Sequence, residues 1–363
     1  MVKIVNLDSM SLREKIGQKF MIGINSHNID VIIDLIKKYS IGGVILYKQN
    51  YNNYDEMLSV IKRLKIANCE NKIPLFIVID QEGGRVNRMP SEYSNIKNIY
   101  DMSLKDVNLI EKNADITGSM LKELGINMNF APVLDICDKR VGKVLYKRCF
   151  YGEVDDVSNA GMKYISGMKK NGIIAVSKHF PGHGATSFDS HFLTPYVYNY
   201  NKVLDKHIKP FENVIRNGVD SVMVSHLVIR KMTNGLPASI SSNFIRKYLR
   251  DENNFDGLVI TDEINMLSRN IIYRFIYMKK AFLSGSDIIL MKISSKNTGA
   301  IIDKFIKLVS SNSEYMKLVD ESVRRIIRVK DKYEINDDVS YDKCNIKEIN
   351  EEVNKLNSLC DGK

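Results

Sequence analysis

The sequence predicts an α/β fold, a (β/α)8 TIM-type barrel, and three observations carry that expectation. Short apolar, β-branched runs recur eight times, each followed by a polar or glycine-containing loop and then a stretch of helical period. The runs are continuously apolar, the pattern of parallel strands covered by helices. Ionisable residues gather at the C-terminal ends of several runs, and in a barrel those ends converge on one face. A doubly wound open sheet shares the first two observations, but the third favours the barrel.

In chain order the strand candidates are residues 19–23, 43–47, 75–79, 127–130, 173–176, 221–224, 257–260 and 287–291. Between them lie helix candidates at 29–39, 54–67, 106–124, 157–170 and 272–283, with two more at 298–310 and 314–332. Asp80 ends the third run, Lys178 and His179 the fifth, Ser225 and His226 the sixth, and Asp262 the seventh. Residues 1–335 are therefore read as one barrel domain. Residues 336–363 are polar and without clear period, a helical or frayed tail.

Composition narrows the function classes. At 363 residues and 44% hydrophobic content the chain can bury a sizeable core. No stretch is long and apolar enough to span a membrane, and the first residues lack the pattern of a secretory leader, so a cytoplasmic, soluble protein is expected. The net charge of +10 is spread along the chain without a nucleic-acid-binding motif, so a nucleic acid is not an expected partner. Five cysteines without C-x-x-C spacing signal neither a disulfide framework nor a thiolate metal site, and reduced thiols are expected.

Three segments carry chemistry. After the third run comes Asp80-Gln81-Glu82-Gly83-Gly84-Arg85-Val86-Asn87-Arg88, where the diglycine lets backbone approach a ligand and Asp80 and the arginines offer acceptors and planar donors. The alternative there is a buried Asp–Arg ion pair closing the barrel mouth. At the seventh run Asp262 and Glu263 are adjacent, and pleat alternation sends only one towards the axis; a helix N-cap is the competing role for Asp262. Residues 178–191 hold three of the six histidines among glycines. His179 and His183 have the i, i+4 spacing of a helical zinc site, which Pro181, Gly182 and Gly184 oppose. Proton transfer suits the loop better: His191 follows Asp189 by two residues, and a carboxylate partner raises an imidazole that already titrates near neutrality. Arg148 lies on a loop beyond the fourth run, either folded over the pocket or on the surface.

The Lys178-His179-Phe180-Pro181-Gly182-His183-Gly184 run followed by Asp189-Ser190-His191, with 80–88, 129–135, 148–150 and Thr261-Asp262, resembles the β-N-acetylglucosaminidases of glycoside hydrolase family 3, in their single-domain type. The resemblance implies a retaining exo-enzyme, without metal or cofactor, that removes non-reducing-end β-1,4-linked GlcNAc from muropeptides during peptidoglycan recycling. It makes Asp262 the nucleophile, His191 the general acid/base and Asp189 its orienting partner. Asp80, Arg88, Arg148, Lys178 and His179 would hold the sugar, and Glu263 has no role. Two other readings are a metal-dependent hydrolase using His179, His183, His191 and Asp189, and a non-catalytic peptidoglycan-binding barrel. The aglycone, the choice between water and phosphate as acceptor, and the oligomeric state are left open.

Overall fold

The computed structural model describes residues 6–24, 26–136, 145–186, 195–197, 200–268, 270–293, 298–339 and 345–361. Its strands are β1 (Phe20–Ile24), β2 (Gly43–Leu46), β3 (Phe76–Ile79), β4 (Met128–Asn129), β5 (Ile174–Ala175), β6 (Ser177–Phe180), β7 (Ser221–Val224), β8 (Leu258–Thr261) and β9 (Ile289–Ile293). They pair in parallel as a six-stranded sheet, β5-β4-β3-β2-β1-β9, and a three-stranded one, β6-β7-β8. The sheets are joined through the chain at Val176. On the other side they meet at a parallel bridge, Ile260 to Ile288, where the Thr261 N–H donates to the Ile288 carbonyl at 3.0 Å. This is the α/β TIM-barrel architecture expected from the sequence.

Strand alternation divides the core. Met21, Ile45, Phe76, Val78, Ile174 and Leu258 belong to an inner cluster, while Phe20, Ile22, Val44, Ile77 and Val259 pack in the outer layer with the helices. Both faces of these strands are thus covered, which is why their runs are apolar at successive positions rather than alternating. Each such side chain contributes roughly 1.5–3 kcal/mol of burial. The helix Ser313–Lys332 supplies Ile326 and Val329 to the inner cluster. Lys330 on that helix donates to the carbonyls of Gly42 (3.0 Å) and Pro74 (2.6 Å), which precede β2 and β3, and to Gln18 Oε1 (2.8 Å). The N-terminal ends of the strands are closed in this way, leaving the opposite ends for chemistry.

The structure departs from the sequence expectations in three places, at strand five, at the last strand and at Cys149. Strand five continues past Val176 as β6, so Lys178 and His179 lie within a strand; their polarity ends the apolar run, but the backbone goes on pairing with β7. The last strand starts at Ile289, and Asp287 before it is an ion-pair centre held by Arg250 (2.6 Å) and Arg325 (3.3 Å). Of the two alternatives for the tail, helical or frayed, residues 346–361 take the helical one and bury Ile349, Val353 and Leu356. Cys149 is disulfide-bonded, against the expectation of reduced thiols, while Cys69 and Cys360 are free. Among the described residues no helix is long and apolar enough to cross a membrane.

Candidate active site

At the C-terminal ends of the strands a cavity of about 350 Å³ is lined by Asp80, Arg88, Arg148, Lys178, His179 and Asp262. Each comes from a different local device. Asp80 follows β3 directly, Lys178 and His179 stand on β6, and Asp262 follows β8. Arg88 arrives through a tight turn in which Gly83 and Gly84 take φ of 84° and 56° and the Gly84 N–H donates to the Ile96 carbonyl at 2.8 Å. A Cβ at Gly84 would lie 2.7 Å from that of Asn98, so a larger residue does not fit.

Two charged groups organise the walls. Glu82 is buried and accepts a bidentate pair from Arg148, with Nε at 2.7 Å and Nη2 at 2.8 Å, and a third contact from Lys178 Nζ at 2.6 Å. Lys178 also pairs with Asp80 at 2.7 Å. Burial disfavours charge on Glu82, but Lys178 and Arg148 outweigh it and hold its carboxyl well below the ordinary range. Burial likewise lowers Lys178, yet Asp80 and Glu82 raise it on balance. Both ions persist because each is fixed by charge-assisted hydrogen bonds.

Asp135 does the same for the histidines. Its fully buried carboxylate pairs with His179 Nδ1 at 2.7 Å and accepts the His183 backbone N–H at 2.5 Å. With Asp135 ionised, Nδ1 of His179 carries the proton and donates it, which leaves Nε2 for the cavity. Burial pushes the His183 pKa down.

Asp262 is half-buried, and its Oδ1 accepts the Glu263 N–H at 2.7 Å. Burial would raise its pKa; the imidazoles of His226, His179 and His183 and the Glu263 N–H together hold it below the ordinary carboxylate range. Nε2 of His226 is 3.0 Å from the Glu263 carbonyl, which only accepts, so Nε2 carries a proton while Nδ1 faces Ser239 Oγ at 2.6 Å. An ionised carboxylate at the cavity wall is equipped to attack an electrophilic carbon.

The six expected residues above are thus brought together. Asp189 and His191 lie outside the described residues. Glu263 also lines the cavity, contrary to the pleat argument, because the chain leaves β8 at Thr261 before the alternation reaches it. The mouth-closing ion pair is formed by Glu82 with Arg148 and Lys178, rather than by an Asp–Arg pair. Glu82 and Asp135 have no assigned role in the sequence reading, because what marks them is the partners the fold brings near, Arg148 and Lys178 for one and His179 for the other. Among the described residues no three His, Cys, Asp or Glu side chains are grouped to hold a metal ion.

The sequence profile described as the glycosyl hydrolase family 3 N terminal domain matches residues 11–329. The chain belongs to glycosyl hydrolase family 3. Within that family of glycoside hydrolases it is similar to a beta-hexosaminidase of Vibrio cholerae serotype O1, 32% identical over 265 residues that cover 71% of this chain and 77% of that protein. Beta-hexosaminidase A of Pseudoalteromonas piscicida is 30% identical over 326 residues, covering 82% of this chain and 54% of the relative, so the chain spans about half the length of that protein. The family 3 β-N-acetylglucosaminidase structure from Paenibacillus sp. str. FPU-7 matches with a TM-score of 0.88 and 31% identity, over 97% of this chain and 69% of that one.

Proposed function

We propose that this chain is a retaining exo-β-N-acetylglucosaminidase that hydrolyses non-reducing-end β-1,4-linked GlcNAc from peptidoglycan fragments. The observation that carries the reading is an ionised Asp262 in a cavity also lined by Asp80, Arg88, Arg148, Lys178 and His179, donors and acceptors of the kind that suit sugar hydroxyls. At about 350 Å³ the space is at the small end of ligand pockets, suited to one terminal ring rather than to a chain lying through a groove. The relatives named as hexosaminidases support the same substrate class.

In the proposed cycle Asp262 attacks the anomeric carbon while His191 protonates the departing glycosidic oxygen, giving a glycosyl-enzyme and a free aglycone. Water then attacks the same carbon, His191 takes its proton, and Asp262 leaves as carboxylate. Asp189 orients the imidazole. These last two roles rest on the loop sequence and the family resemblance. A histidine in place of a second carboxyl avoids a further negative charge beside Asp262, and a group titrating near neutrality serves as both acid and base.

Product analysis with GlcNAc-MurNAc and chitobiose side by side tests the reading. Release of GlcNAc is expected, with the disaccharide ratio reporting the aglycone; no cleavage of either, or of an aryl β-GlcNAc, would favour a non-catalytic barrel. Turnover is expected to survive a chelator. Loss with chelator and recovery with Zn²⁺ would favour the metal-dependent reading. The cytoplasm is the proposed compartment; the disulfide at Cys149 counts against it, and fractionation of the native host is the direct test. Recovery outside the cytoplasm would reject it.

A further inference from the structure

We propose that Tyr100, Tyr146 and Tyr151 form a platform for a sugar ring of the glycan chain to which the terminal GlcNAc is attached. This rests on the glycosidase reading above and adds a second binding position to it.

The turn at residues 145–148 has two sides. Leu145 and Arg148 line the cavity, whereas Tyr146 between them is 55% exposed. Tyr151 is 47% exposed. Both pack on Tyr100, Tyr146 at 6.0 Å between ring centroids and Tyr151 edge-on at 5.5 Å. The cluster is held in place: Lys147 pairs with Asp101 at 3.0 Å, and the Tyr151 N–H donates to Ser103 Oγ at 2.8 Å, both on the helix Ile99–Lys105 that carries Tyr100. Arg148, at the end of the turn, is clamped by Glu82.

Exposed, ordered aromatic rings have a ligand-binding chemistry. A pyranose presents an apolar C–H face, and a tyrosine ring offers the matching apolar face. The cavity has room for one ring, so the following sugars of a chain emerge at its mouth, and this turn contributes Leu145 and Arg148 to the cavity wall with Tyr146 exposed between them. The preorganised cluster would gain contact area without the entropy cost of ordering a loop.

The test compares chitotetraose with an aryl β-GlcNAc in wild type, Tyr146→Ala, Tyr151→Ala and Tyr146→Phe. Each alanine variant should raise KM for chitotetraose about three- to tenfold while the aryl kinetics stay within about twofold, and Tyr146→Phe should behave as wild type. Unchanged chitotetraose KM in both alanine variants overturns the platform. So does an equal loss on both substrates, which would assign the tyrosines to support of Arg148. If wild type cleaves neither substrate, the glycosidase reading fails instead. The platform is then decided by calorimetric titration of chitotetraose onto wild type and the double alanine variant, equal or absent binding in the two overturning it.

Discussion

Glu82 is the residue through which the pocket walls hold their shape. It fixes Arg148 and Lys178 together, and Lys178 in turn fixes Asp80. Breaking a buried ion pair from one side typically costs about 3–5 kcal/mol, because the partner charges stay behind unmatched. Glu82→Gln should therefore lower the melting temperature and reduce kcat/KM by roughly a hundredfold, chiefly through KM. Kinetics close to wild type would show that the cations hold their places without it. Asp262→Asn should lose at least roughly a thousandfold in turnover and all trapping by a 2-fluoro glycoside; label recovered on another residue rejects the nucleophile. His191→Ala should slow poor leaving groups more than activated aryl ones, and an equal loss on both counts against the acid role. At this scale the sequence was informative wherever an ionisable group follows an apolar run, as at Asp80 and Asp262. It was silent on Glu82 and Asp135, because their meaning lies in partners brought near by the fold, Arg148 for one and His179 for the other.

The helix Ile346–Asp361 supports the pocket from a distance. Asn350 accepts the Ser94 N–H at 2.7 Å and donates to the Glu92 carbonyl at 2.8 Å, and Asn357 repeats the pattern with Lys97 and Asn95 at 3.0 Å each. The segment so gripped accepts the Gly84 N–H through Ile96, next to Glu82. Replacing both asparagines by alanine leaves four backbone groups of that segment to water and should cost about 1–3 kcal/mol. The melting temperature should fall and KM should rise, with kcat little changed. A variant with wild-type KM would confine the helix to stability. The sequence left this segment between a helical and a frayed tail because its docking uses two asparagines and three apolar residues. Strand five was half legible for a related reason: hydrophobicity marks β5, but in β6 the strand carries Lys178 and His179, and function has replaced the residues that identify a strand.

Across the whole molecule, charge is buried at the end opposite the pocket. Lys19 donates to the Ser286 carbonyl at 2.8 Å and to Ser322 Oγ at 2.6 Å, while Lys330 joins the strand starts to Gln18. Burial pushes each ammonium from 10.5 down to about 7. As pH rises from about 7 towards 10.5 the folded protein has released these protons while the unfolded chain still binds them, so stability should increase through that interval. The melting temperature is expected to rise between about pH 7 and pH 9, and Lys330→Met should flatten the slope. A flat wild-type profile would contradict the effect of burial on these lysines. The barrel and its direction were legible from the run of apolar segments, but this plug was not, since a lysine at the head of a strand run and another within a helix give no sign of being enclosed.

Lys178 stands on β6, in the three-stranded sheet, and its ammonium reaches Asp80 and Glu82 after β3, in the six-stranded one. A sugar gripped by both sides would tie the two sheets together across their join. Hydrogen exchange should feel this far from the ligand itself: the Val176 and Thr261 amides, whose bonds to Asn129, Ala131 and Ile288 link the sheets, would exchange more slowly in the occupied protein.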